Sequence, residues 1–175
     1  YGRSFLVTPD VLIPRPETEL LVDLVMEHIA STDLEKPHLV DVGCGSGILA
    51  VTFACAYPNA KVIAIDISPK ALQVSTLNAQ NHSVIDQIRF IENDLLSGLE
   101  HIIDKKTMIV ANLPYIPTKT LHQLEVYGKE PTLALDGGID GLGLIRKLIR
   151  QIHSFSIKPS LALFEIEAGQ GASTL

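Results

Sequence analysis

Short apolar runs of strand length alternate with helical patterns along this chain, and that alternation narrows the possible folds more than any other feature. His38–Gly43 reads as a strand ending in glycine. Gly47–Tyr57 is almost wholly apolar, long enough for three helical turns, and Pro58-Asn59 stops it. Lys61–Ser68 reads as a strand buried on both faces, as parallel strands are. Ser68-Pro69 supplies an N-cap and a first-turn proline, opening a helix to about Gln80. Ile88–Asp94, Met108–Ala111 and Leu161–Glu167 read as three further strands. Glu17–Ile29 places Leu20, Leu21, Leu24, Val25 and Ile29 on one helical stripe. Leu142–Ile152 does the same with Leu142, Ile145, Leu148, Ile149 and Ile152, with Asp140 as its N-cap. The pattern breaks between Pro117 and Gly141. The expected fold class is α/β: a doubly wound, mostly parallel sheet with helices on both faces. In such sheets ligands bind beyond the carboxyl ends of the strands, near the point where strand order reverses.

Size and composition agree with one packed domain. The chain has 175 residues, 46% of them hydrophobic and 19% charged, which excludes intrinsic disorder. Fourteen basic residues stand against 20 acidic ones, a net charge of −6. A domain that lives on a phosphate backbone needs a basic footprint. The densest basic cluster here is Arg146, Lys147 and Arg150 on one helix, an ordinary solvated face, so a nucleic-acid partner is not expected. Cys44 and Cys55 form no CxxC and the histidines are scattered, which argues against a disulfide framework or a metal site. No apolar run is long enough to span a bilayer and no signal peptide opens the chain. The expectation is a cytoplasmic protein with no membrane partner. The chain opens on Tyr1 and stops soon after a strand, so a piece of a longer protein is expected.

The strand ends carry the chemistry. After the first strand comes Asp41-Val42-Gly43-Cys44-Gly45-Ser46-Gly47. Glycines let the backbone approach a ligand, and the following helix offers free N–H groups. A dinucleotide fingerprint would need G-x-G-x-x-G, but the spacing is G-x-G-x-G preceded by an acid, the form typical of S-adenosyl-L-methionine (SAM) sites. Asp66, followed by Ile67, ends the second strand, where a carboxylate can accept from both hydroxyls of a ribose. Asp94 and Leu95 end the third, where a carboxylate can accept from an adenine amino group and an apolar side chain can cover the ring.

The fourth strand ends in Asn112-Leu113-Pro114-Tyr115. The pattern [N/D/S]-x-P-[Y/F/W] after a fourth strand marks methyltransferases acting on planar amino groups. Such a nitrogen has its lone pair delocalised and is a poor nucleophile. An Asn side-chain oxygen and a main-chain carbonyl can each accept one of its N–H groups, so that the nitrogen can pyramidalise toward a methyl donor. Proline removes a competing N–H and stiffens the turn. The aromatic ring packs on the planar group.

With these residues in view the sequence resembles the HemK/PrmC family, methyltransferases that modify the glutamine of the GGQ loop in peptide chain release factors. The carriers are Leu12–Glu19 (LIPRPETE), Asp41–Gly47 (DVGCGSG), the Asn112–Tyr115 turn and Gly137–Leu142 (GGIDGL). The resemblance implies a Rossmann-like class I methyltransferase fold over residues 1–175, with a hairpin or helix segment over 1–35 leading into it. It implies that the loop Gly43, Cys44, Gly45, Ser46 and Gly47, with Asp41 behind it, wraps the methionine part of SAM. Asp66 with Ile67 would bind the ribose, and Asp94 and Leu95 would flank adenine. Asn112, Leu113, Pro114 and Tyr115 would hold the substrate amide, and Thr18 would touch the cofactor. The product would be S-adenosyl-L-homocysteine and the partner a release factor. The alternative is an adenine-N6 methyltransferase acting on RNA or DNA through the same turn. Three departures stand out: Leu113 replaces the family's usual proline, the family's N-terminal helical domain is expected to be absent from these 175 residues, and its last strands would follow Leu175, which would leave an exposed sheet edge.

Overall fold

The computed structural model describes residues 1–32 and 34–171. Its centre is a five-stranded, wholly parallel sheet: β1 (His38–Val42), β2 (Lys61–Asp66), β3 (Ile88–Glu92), β4 (Thr107–Ala111) and β5 (Leu161–Phe164), in the spatial order β3-β2-β1-β4-β5. The helices are α1 (Glu19–Thr32), α2 (Ile48–Ala56), α3 (Pro69–Asn81), the single turn α4 (Thr118–Leu121) and α5 (Gly143–Ser154). Two buried clusters face the sheet from either side. One gathers α1 and α2 around Val25, Val51 and Phe53. The other gathers α5 around Ile145 and Leu148. Val40, Ile63 and Ile109 lie side by side in register and belong to the second cluster, so the sheet core is apolar across its width.

Strand order runs outward from β1 to β3, then returns to place β4 on the other side of β1. The reversal therefore falls between β1 and β4. Their register pairs Asp41 with Val110, which carries Gly43 and Asn112, each two residues further on, out of the sheet side by side. Any ligand at the glycine turn thus meets the loop after β4.

Several local expectations change. The buried face of α1 is Leu21, Val22, Val25 and Ile29, whereas Leu20 (59% exposed) and Leu24 (37%) face outward. The helix carries more apolar residues than one face can hold, and packing against α2 selects which are used. Before α1, the described N-terminal residues are held by side chains. Buried Asn78 on α3 accepts from Leu6 N–H at 2.7 Å and donates to Leu6 carbonyl at 2.9 Å, giving the segment the pairing that a ladder would supply. Asp140 is not the N-cap of α5, because the helix begins at Gly143; its carboxylate accepts from Leu142 N–H and pairs with Arg146. β5 stops at Phe164, short of Glu167, because Glu167 and Gln170 close a capping box around the turn Ala168–Gln170. Ser68 caps α3 as its sequence predicts, accepting from Ala71 N–H at 3.3 Å.

Candidate active site

One cavity of about 270 Å³ lies across the carboxyl ends of β1, β2, β3 and β4. Every site residue singled out from the sequence lines it except Gly47 and Tyr115. Gly47 sits one layer back, against α3: a Cβ there would come within 2.8 Å of the Ser75 Cβ. Tyr115 stands beyond the lining, its hydroxyl on Glu165. The N-terminal segment closes the cavity's far side with Val11, Leu12 and Pro14, and the loop before Gly137 contributes Pro131 and Leu133.

The floor is the glycine turn. Gly43 and Cys44 N–H groups both donate to the Ile65 carbonyl, at 2.8 and 2.9 Å, which folds the turn back onto β2. Gly45 lies in the left-handed region at φ +53, and a Cβ there would meet nothing within 4 Å, so this edge of the backbone is open to a ligand. Asp66 braces the turn. Its Oδ2 accepts from Gly45 N–H and its Oδ1 from Ser68 N–H, both at 2.9 Å. Burial pushes its carboxyl up, and the N–H groups of Ser68, Gly45 and Ile67 pull it back. Each oxygen keeps a second lone pair.

Asp41 is fully buried beneath the turn. Its Oδ2 accepts from Ala50 N–H at 3.1 Å, and its Oδ1 has no hydrogen-bond partner among the described residues. Burial raises its carboxyl to about 7, with the Asp66 charge acting in the same direction. The Cys44 thiol is pushed well up by burial, which leaves it a space-filling group beside Ser75. Leu95 takes φ +53, rare for a branched side chain, and is held there by Asn93, whose Nδ2 donates to the Leu95 and Ser97 carbonyls at 3.0 Å. Asp94 is paired with Lys147 of α5, so that member of the basic cluster belongs to the site's edge.

The loop after β4 forms the adjoining wall. Leu113 is buried, and its Cδ2 would lie 2.8 Å from a Cβ on Gly43; the turn after β1 and the loop after β4 interlock there. Asn112 Nδ2 donates to Thr18 Oγ1 at 2.8 Å. Thr18 donates to Glu165 Oε2 at 3.0 Å, and the Tyr115 hydroxyl donates to Glu165 Oε1 at 3.2 Å. Burial and the neighbouring Glu165 charge hold the Tyr115 phenol up at about 12. The GGIDGL segment packs beneath this loop. A Cβ on Gly141 would collide with the Tyr115 carbonyl, and that carbonyl accepts from Gln170 Nε2 at 2.9 Å.

Three contributors gave no functional signal in the sequence. Glu165 reads as part of a strand. Asn78 reads as one polar residue of α3, yet its Nδ2 also donates to the Ser46 carbonyl at 2.8 Å and ties the glycine turn to the N-terminal segment. Glu130 accepts from Arg15 Nη2 at 2.6 Å and from Ile13 N–H at 3.0 Å, joining the LIPRPETE segment to the loop across the cavity.

Residues 17–126 match the family model described as the methyltransferase small domain. The chain belongs to the methyltransferase small domain family. Among similar proteins, one from a Synechocystis species, named release factor glutamine methyltransferase, is 44% identical over 174 residues, covering 96% of this chain and 58% of that protein. One of the same name from Bacillus subtilis is 40% identical over 177 residues, covering 99% of this chain and 61% of that protein. The chain therefore spans about three fifths of the length of these relatives. Among solved structures, the catalytic domain of human METTL16 in complex with MAT2A 3′UTR hairpin 6 superposes with a TM-score of 0.73 at 15% identity, covering 98% of this chain and 64% of that one. At that identity the likeness concerns the fold, the doubly wound class expected from the sequence. No helix among the described residues is long and apolar enough to cross a membrane.

Proposed function

We propose that this chain is the catalytic domain of a SAM-dependent methyltransferase that modifies the side-chain nitrogen (N5) of the glutamine in the GGQ loop of a release factor, a cytoplasmic reaction. The observation that carries this reading is the juxtaposition, in one cavity, of the Gly43–Ser46 turn with the Asn112–Pro114 loop, in a chain 44% identical to a release factor glutamine methyltransferase. The residues present fit the donor. Gly45 leaves open space for a close ligand, Asp66 retains free lone pairs for hydroxyls, and the orphaned Asp41 oxygen puts a carboxyl in the floor that a bound cation would favour in its ionised form. When bound, SAM supplies an electrophilic methyl on a positively charged sulfur and leaves as S-adenosyl-L-homocysteine.

The chain's own work is positioning. Asn112 Oδ1 and a main-chain carbonyl of the Asn112–Tyr115 loop each accept one N–H of the substrate amide, so its nitrogen turns a lone pair toward the glycine turn. Such alignment supplies roughly 7–11 kcal/mol, against some 3–5 kcal/mol from a general base. The nitrogen becomes strongly acidic only once methylated, so its proton leaves late, to water, and no base is needed. Tyr115, fixed by Glu165, walls the amide's outer side.

The test is incubation with radiolabelled SAM and either a release factor or RNA. Label is expected on the GGQ glutamine. Label in RNA alone would overturn this reading in favour of the adenine-N6 alternative, which the Asn-Leu-Pro-Tyr turn also suits.

A further inference from the structure

We propose that Glu165 is a positioning residue that, through Thr18, fixes which end of the Asn112 side-chain amide faces the substrate. This deepens the function proposed above and rests on it for the substrate's identity. A carboxylate only accepts hydrogen bonds. Glu165 Oε2 lies 3.0 Å from Thr18 Oγ1, so the single hydroxyl proton of Thr18 is committed to Glu165. The Thr18 oxygen can then only accept, and the group 2.8 Å away must be the NH₂ end of Asn112. Asn112 Oδ1 is thereby left to receive a substrate N–H. The two ends of a primary amide are nearly the same size, so packing alone does not choose between them. In the reversed orientation an NH₂ would face the substrate's NH₂, two donors with nothing to accept. Thr18 is 3% exposed, so water does not easily replace it. The other oxygen of Glu165 receives the Tyr115 hydroxyl, so one carboxylate orders two of the four residues of the loop's signature.

Glu165→Gln keeps the shape but adds a donor, so that either end of it can face Thr18. Thr18→Val keeps the shape and removes the link. In the full-length protein, methyl transfer to a GGQ-containing release factor is expected to fall about 10- to 100-fold in kcat in each, the scale of a misplaced reacting group. In Glu165→Gln, SAM affinity by calorimetry and the melting temperature stay at wild-type values. The double variant is no slower than the slower single one, because both break the same relay. Thr18→Ser restores most of the rate lost in Thr18→Val. A readout that needs no activity accompanies these: in ¹⁵N-labelled protein, a side-chain proton of Asn112 exchanges slowly with water, and faster in Thr18→Val. Wild-type kcat in both single variants overturns the proposal. So does a rate loss in Glu165→Gln matched by lost SAM affinity, or unchanged Asn112 exchange in Thr18→Val. Failure of the wild-type protein to label glutamine overturns the proposed function instead, and the exchange measurement still decides the relay.

Discussion

Asp41 is buried at the end of β1, and its carboxyl is raised from 3.8 to about 7. Between those values the folded chain keeps a proton that the unfolded chain has released. The contribution of Asp41 to stability therefore declines as pH rises from about 4 to about 7. Asp41→Asn is expected to flatten the dependence of melting temperature on pH across that window, as a thermal denaturation series at fixed ionic strength would show. A cationic ligand favours the ionised carboxylate, so SAM affinity is expected to strengthen as pH rises through about 7 in the wild type and to change less in Asp41→Asn. Calorimetry over the same pH series checks it. Asn112 lines the cavity beyond the carboxyl end of β4, where the proposed transfer would take place. Asn112→Ala is expected to lower methyl transfer at least about 100-fold, in the range of a lost positioning group, while SAM affinity stays within about two-fold. Activity surviving in that variant would show that the loop is not the amide clamp.

At the scale of elements, the site depends on long-range ties. Asn78 makes three hydrogen bonds from α3, two to Leu6 and one to the Ser46 carbonyl, and is fully buried. Asn78→Ala is expected to cost about 2 kcal/mol, because a buried acceptor loses its donor, and to loosen the N-terminal segment over the cavity. Denaturant unfolding gives the cost, and hydrogen exchange at Leu6 reports the loosening. The close approach of Gly141 to the Tyr115 carbonyl makes the loop after β4 intolerant of any side chain at 141. Gly141 also holds φ +78, so alanine there is strained as well as crowded.

For the whole molecule, the cavity joins four strand ends, an N-terminal segment and the loop before α5, so a ligand filling it should stabilise the folded state globally. At a SAM concentration 100 times Kd the gain is about 2.7 kcal/mol, a rise of roughly 5–10 °C for a domain of this size. Asp66→Ala should shrink that rise at the same concentration by weakening the ribose contact; an undiminished shift would remove the ribose assignment. The sequence by itself determined the layered α/β architecture, the glycine turn and the Asn112–Tyr115 loop, since each is written in neighbouring residues through periodicity or turn chemistry. It could not choose the buried face of α1, which carries more apolar residues than one face needs and is settled only by α2. Nor could it reveal Glu165, Glu130 or Asn78, whose partners lie 147, 115 and 72 residues away in the chain. A hydrogen bond depends on two atoms arriving within about 3 Å, and for groups so distant in sequence only strand order and register bring them there. The tertiary structure therefore decided how the loop after β4 is oriented, while the local sequence decided what it is made of.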